Sequence, residues 1–573
     1  MDKKKQIGIV VGIERLASNP LDCWVYIEQG ENIQLDDIVL IETVDSGGEI
    51  RKLYGIVDEM QKTLEGADFA SDAKLYPGIL PTNLAEVAHV SILRVEPQTF
   101  NPPNPGTAVF QASGEDFDHA LYKDEMEHSF PLGHTRQGLA NQEVIYGNFE
   151  FLDGTRGAHI NISGISGVAT KTSYATFLLK SIYAHLNKDV APNTKAIIFN
   201  VKGEDLMYLD HKAPEGKITN NHKEMYKLMN LEPEPFGSVQ FYSKPLKAGI
   251  KRKNSQDNRL LLRWSLEEFC EKEYIRLLFT EDDFRNTQIE QFVNLAATKL
   301  KEEHSKDNEI SNCTNITDLI ELINKNTNPG QDTDEKLDIA GTLSGKWLKD
   351  PRYVNEATWA AFIRRLNNAG QFVKDILDND ESDSGINWNQ NANITVIDIH
   401  QFHARAQRFI VGIVLQDIIQ HREVTDQGDK NNPIFIVLDE LNKYAPKDSS
   451  SPIKEYLVDI AERGRSMNII LIGAQQTASE IEPRVVANSA FRVVGRLDAA
   501  ESEKSEYGYL SQAAKIRTRL LQPGTMMVTQ PQIPIPILLQ FPFPAWATNK
   551  SAMPSDARKS RQDIKNELEN KNE

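Results

Sequence analysis

Between residues 6 and 97 apolar and polar positions alternate in short runs: IGIVVGIE, CWVYIE, DIVLIETV, KLYGIVDEM and EVAHVSILRVE. Turn signals separate them at Ser18-Asn19-Pro20, Gly30 and Ser46-Gly47-Gly48. A period of two over segments this short predicts strands, and their spacing predicts a small antiparallel β-barrel over residues 1–110. The segment Asn101–Gly106, NPPNPG, reads as a Pro-rich linker and a domain boundary.

From about Glu150 the pattern changes to continuous apolar runs alternating with helical stretches, which predicts a parallel α/β sheet. The runs are HINIS (159–163), KAIIFNV (195–201), ITVIDI (394–399), IFIVLDE (434–440) and IILIGAQ (469–475). FRVVGR (491–496), TMMVTQ (525–530) and IPILLQF (535–541) would extend the sheet. Between the second and third runs, residues 265–380 carry helical periodicity and read as a helical subdomain inserted into an α/β core spanning 125–545. Polar stretches at Asp307–Asn312 and Asn379–Asn391 read as loops. The charged tail, 546–573, is expected to be a solvated helix or disordered.

A chain of 573 residues is too long for one ordinary domain. Its formal charge of −18 argues against a wholesale nucleic-acid coat, while leaving room for a local basic surface such as a pore lining. Cys23, Cys270 and Cys313 lack metal-ligand spacing and suit buried, inert thiols in a reducing cytoplasm. The apolar run of MDKKKQIGIVVGI is too short for a signal peptide and has no small-residue cleavage site. The longest membrane candidate, Ile533–Trp546, is broken by prolines. The expectation is a soluble, cytoplasmic protein with no membrane partner.

The chemistry concentrates in AHINISGISGVATKTSYATFLL, residues 158–179. A short strand, a loop with Gly164 and Gly167, then Lys171-Thr172 and a helix is the order of a phosphate-binding loop. The candidate nucleotide-binding residues are Gly164, Ser166, Gly167, Val168, Ala169, Thr170, Lys171, Thr172 and Ser173. Lys171 would neutralise the β/γ-phosphates of ATP, and the Thr172 hydroxyl would hold Mg²⁺. The spacing departs from G-x-x-x-x-G-K-[ST]: Gly164 lies seven residues before Lys171, and Thr170 stands where a glycine is usual. A glycine turn entering a helix has the same outline, so the reading depends on partners elsewhere.

IFIVLDE supplies them. Asp439 at the end of an apolar strand is a candidate Mg²⁺ ligand, and Glu440 would polarise the attacking water. NIILIGAQQ ends in Gln475, placed to sense the γ-phosphate or position water. In DIAERGR, Arg463 or Arg465 could reach a neighbouring subunit's nucleotide as a trans arginine finger. Arg156 and Arg496 are candidates of the same kind, and NVKGED (200–205) ends its strand in a glycine turn with two acids.

This combination resembles the HerA-like branch of the HerA–FtsK ATPases, ring-forming RecA-like P-loop motors. The N-terminal barrel looks like that family's HAS-barrel, and FPLGHTR (130–136) like its approach segment. NVKGED stands where the family often has an Asp-Pro-His-Gly-Glu-like turn, and IVLDEL, AERGRSMNIILIGAQQ and LLQPGTMMV follow in the expected order. The departure is GISGVATKTS where the family typically reads GxTGSGKS, which leaves slower or differently regulated hydrolysis open. Such loops are associated with HerA-like proteins of bacterial anti-phage defence operons. The resemblance therefore implies a hexameric, Mg²⁺-dependent ATPase translocating double-stranded DNA in the manner of a helicase. It also implies a separately encoded effector, a nuclease or a sirtuin-like NADase. The alternatives are a nucleotide-binding ring scaffold that activates the effector with little hydrolysis, and a motor anchored to a membrane by a partner.

Overall fold

The computed structural model describes residues 4–14, 16–44, 47–64, 84–136, 142–165, 171–186, 193–203, 205–244, 259–304, 308–329, 347–348, 355–377, 385–387, 392–424 and 432–548. The tail beyond Asn549 and most of the expected loop Asn379–Asn391 lie outside these residues. The chain forms two compact units. The first is built from residues 1–186, 218–233 and 490–543, and the second from 187–217, 234–489 and 544–573.

In the first unit, β1 (Gln6–Val10), β2 (Asp22–Ile27), β3 (Ile38–Val44), β4 (Ile50–Leu64), β5 (Leu84–Glu96) and β6 (Ala108–Gln111) close a barrel in the order β1-β2-β5-β4-β3-β6. The alternation does what a period of two requires: Cys23, Val25 and Ile27 of β2 point inward onto Val39, Leu53 and Val90. Asn101–Gly106 is not a linker. Its Asn104 side chain donates to the Val44 carbonyl at 2.8 Å and Gly106 N–H to the Val10 carbonyl at 2.8 Å. The segment therefore leads into β6, which closes the barrel by pairing with β1 and β3.

The same unit holds β7 (Ser129–His134), β8 (Val144–Asn148), β9 (Ile160–Ser163), β16 (Phe491–Val494), β17 (Thr525–Thr529) and β18 (Ile537–Gln540). β9 and β16 are parallel, whereas β16-β17-β18-β7-β8 run antiparallel. The parallel expectation fails here for a geometric reason. The link from β17 to β18 is too short for the crossover of about a dozen residues that a parallel pair needs. The helix Lys171–His185 packs on β7, where Tyr174 Oη and Ser181 Oγ donate to the carbonyls of Leu132 (3.0 Å) and Pro131 (2.6 Å).

The second unit is parallel throughout. β10 (Lys195–Asn200), β11 (Val239–Ser243), β12 (Arg259–Leu261), β13 (Ile394–Asp398), β14 (Ile434–Asp439) and β15 (Ile469–Gln475) lie in the order β12-β11-β13-β10-β14-β15. Every residue of β14 and β15 is buried, as expected of parallel strands covered on both faces. The buried cluster runs from Phe199, Ile436 and Leu438 through the helices Ala404–Val424 and Pro452–Met467. It continues into Val293, Leu300, Ile320 and Phe362 of the helical insertion. Asn308–Ser311, expected as loop, forms one helical turn. All three cysteines are buried and free, and burial pushes the Cys23 thiol up to about 12. Among the described residues no helix is long and apolar enough to cross a membrane.

Candidate functional site

Four neighbouring strands of the second unit end in polar residues at one edge of the sheet. They are Asp398 and His400 at and just after the end of β13, Asn200 and Lys202 at and just after the end of β10, Asp439 and Glu440 at and just after the end of β14, and Gln475 at the end of β15. In a parallel sheet all carboxyl ends share one edge, which is where ligands of open α/β sheets collect.

Asp439 pairs in register with Ala474, so Glu440 and Gln475 follow at adjacent positions of β14 and β15. Asp439 is buried, and its Oδ1 accepts the Glu440 N–H at 2.8 Å. Glu440 takes a left-handed backbone (φ 56°, ψ 44°), an arrangement that costs a non-glycine residue about 1–3 kcal/mol. This turn swings its side chain across to β10, where Lys202 Nζ lies 2.6 Å from Oε1. Lys443, one turn on, pairs with Oε2. Burial pushes the Glu440 carboxyl up, but the two lysines outweigh it and hold the group below its ordinary value. Lys202 also stands 3.9 Å from Asp439 Oδ2. Gln475 is fully buried at the end of β15.

On the other side of β10, Asn200 Nδ2 donates to Asp398 Oδ1 and to the Gly203 carbonyl, both at 2.8 Å. His400 Nδ1 meets the same Asp398 oxygen at 2.5 Å. Burial raises the Asp205 carboxyl, opposed by the His400 charge. Asp398 and His400 are additions to the residues expected at this edge, whereas Asn200 and Lys202 belong to the NVKGED turn singled out from the sequence. ITVIDIH carries the same signal as IFIVLDE, an apolar run ending in a carboxylate.

Arg463 and Arg465 sit elsewhere. Both lie in the last turns of the helix Pro452–Met467, which delivers the chain to the amino end of β15. Seven residues of strand, about 20 Å at the usual rise, separate that end from Gln475. Both are exposed, and Arg463 is engaged on its own chain by Asp459 (2.8 Å) and Glu423 (3.1 Å). Arg156 pairs with Glu150 at 2.9 Å.

In the first unit, Gly164 and Ile165 follow β9, and Ile165 N–H donates to the Arg496 carbonyl at 2.8 Å. The helix begins at Lys171, which is buried, with Thr172 and Ser173 in its first turn. Ser166, Gly167, Val168, Ala169 and Thr170 lie outside the described residues. His134 at the end of β7 is fully buried and donates Nδ1–H to the Thr135 carbonyl at 2.6 Å; burial holds the ring below its ordinary value, in the neutral form.

No family model matches the chain, and no curated protein matches it. Solved structures do. The plasmid coupling protein TrwB in complex with ADP and Mg²⁺ is similar at 11% identity and a TM-score of 0.44, over 71% of this chain and 89% of that one. VirB4 of Thermoanaerobacter pseudethanolicus is similar at 14% identity and a TM-score of 0.38, over 72% and 96%. EssC (ATPases 2 and 3) from Geobacillus thermodenitrificans follows at 13% identity and a TM-score of 0.28, over 77% and 50%. Likeness this distant leaves function to the residues themselves.

Proposed function

We propose that the chain is a RecA-like, Mg²⁺-dependent ATPase, the motor or switch of a HerA-like ring. The observation that carries this is Asp439-Glu440 at the end of β14 beside Gln475 at the end of β15, on the carboxyl edge of a parallel sheet. A buried lysine opening the helix that follows Gly164 supports it. The resemblance gives the ion to the Thr172 hydroxyl and the Asp439 carboxylate, both hard oxygen donors of the kind Mg²⁺ prefers. Bound with ATP, the ion would neutralise charge on the β- and γ-phosphate oxygens.

Lys171 binds the β/γ-phosphate oxygens, the role the resemblance gives the lysine that follows such a loop. Glu440 orients the attacking water in line with the γ-phosphorus and accepts its proton, while Gln475 holds the water or a γ-oxygen. An arginine from the neighbouring subunit, Arg465 or Arg463, neutralises the charge that develops. The ring is hexameric in this reading and grips double-stranded DNA through phosphate contacts, so binding weakens steeply with salt. A separately encoded nuclease or sirtuin-like effector, acting in anti-phage defence, completes it. These last assignments rest on the family resemblance.

ATP turnover by wild type and by Lys171→Ala tests the core assignment. Loss of both nucleotide binding and turnover in the variant is expected; equal turnover would overturn it. The engagement of both Glu440 oxygens by lysines favours the second reading, a nucleotide-loaded platform with slow hydrolysis. If Glu440→Gln keeps effector function while Lys171→Ala abolishes it, binding alone suffices.

A further inference from the structure

We propose that Lys202 is a latch on Glu440, holding its carboxylate away from the water it has to orient and so restraining hydrolysis. The inference rests on the reading of Glu440 given above. Orienting water requires a carboxylate oxygen with a lone pair directed at that water. Here Lys202 holds Oε1 at 2.6 Å and Lys443 engages Oε2, and only 13% of the Glu440 side chain is exposed.

The two lysines differ in kind. Lys443 is three residues from Glu440 in the same turn and travels with it. Lys202 comes from a different segment, the bend two residues past the end of β10, and 41% of its side chain is open to solvent, so its head can leave without unpacking a core. The glycine after it, Gly203, has φ 54°, a left-handed turn directly behind Lys202. Glu440 faces Lys202 from the bend after β10 and Lys443 and Asp439 from its own segment, and Tyr444 lies close enough to feel its charge. Arg408, from the neighbouring helix, donates instead to the Lys443 carbonyl at 2.6 Å. Lys202 is therefore the one cation on Glu440 that belongs to a separate element and is free to swing, among the described residues.

Lys202 is a positioning residue in this account, and its removal should act on kcat and not on KM. The test is steady-state ATP turnover of the full chain with Mg²⁺. For Lys202→Met, kcat should rise roughly fivefold, the equivalent of one part-exposed ion pair, with KM unchanged within about twofold. Lys202→Arg, which keeps a cation in reach, should return kcat to the wild-type value. In Lys202→Met/Glu440→Gln the gain should vanish. A kcat for Lys202→Met equal to or below wild type, or a change confined to KM, overturns the latch. Glu440→Gln alone separates the two failures. If it turns over like wild type, the assignment of Glu440 fails and the latch falls with it. If it is inactive while Lys202→Met matches wild type, the latch alone is wrong.

Discussion

Arg517 donates to both carboxylate oxygens of Asp36, at 2.7 and 2.6 Å, tying the helix Gln512–Thr518 to the barrel within the first unit. Asp36 is buried in a left-handed turn (φ 75°) just before β3, with Arg136 behind it at 3.5 Å. A guanidinium nitrogen shared between both oxygens of a buried carboxylate is worth more than a surface pair, and losing it strands the charge. Arg136 and partial solvent access soften that loss. Arg517→Ala should therefore cost about 1–3 kcal/mol, read as a lower urea midpoint at unchanged slope. An unchanged midpoint would mean that Arg136 suffices.

A second ionic cluster gives the barrel a pH signature. His89 Nδ1 lies 2.6 Å from Asp58 Oδ1, its Nε2 3.4 Å from Asp22 Oδ1, and Ser91 Oγ donates to Asp58 at 2.6 Å. The Asp58 hydrogen bond raises the His89 pKa against the opposing effect of burial. Burial raises the Asp58 carboxyl, but the bonds from His89 and Ser91 prevail and lower it. For a raised histidine, the stabilisation is complete below its unfolded pKa of about 6.5 and fades as pH climbs through the raised value. For a lowered aspartate it is complete above about 3.9 and fades on acidification. The stability gap between wild type and His89→Gln should peak at about pH 5–6 and shrink above pH 7, with a maximum of about 1 kcal/mol because the pair is partly solvated. Unfolding titrations at pH 5.5 and 8.5 decide; equal gaps would remove the pair from the pH response.

Strands that are apolar from end to end, such as IFIVLD and IILIGAQ, could be read from the chain because burial on both faces leaves no polar position to confuse the period. β6 (AVFQ) and β12 (RLL) are too short to show any period, and β7 (SFPLGH) carries Pro131 and Gly133, so pairing with distant partners alone makes them strands. The same division holds at the site. Asp439, Glu440 and Gln475 announce themselves by ending apolar runs, whereas nothing local says that Lys202 meets Glu440. That contact depends on β10 lying beside β14, a consequence of the parallel strand order.

Gly473 in the middle of β15 faces the residue that follows Glu440. A Cβ added there would lie 2.6 Å from Leu441 Cδ2, and Leu441 is fully buried. Gly473→Ala must therefore push Leu441 and with it the Glu440 turn, at a cost of about 1–3 kcal/mol. Turnover should fall with KM nearly unchanged, because in the proposed reading the displaced group orients water and does not hold nucleotide. Leu441→Val in the same chain shortens the obstructing side chain and should restore part of kcat. Full activity in Gly473→Ala would show that the turn after β14 yields without moving Glu440.

The arginine finger can be assigned by mixing subunits. Arg465 lies at the amino end of β15, a strand length from its own chain's Gln475 and Glu440, so any contact with a nucleotide at the carboxyl edge has to be made in a neighbouring subunit. Arg463 is held on its own chain by Asp459 and Glu423, and the proposed reading takes Arg465 as the finger. Arg465→Ala should lower kcat about a thousandfold with nucleotide binding retained, and Arg463→Ala should lower it far less. Arg465→Ala and Glu440→Gln, each inactive alone, should regain turnover when co-assembled, because some interfaces then join an intact Glu440 to a neighbour's intact Arg465. A finger acting on its own chain's nucleotide would give no recovery, since every subunit would carry one defect.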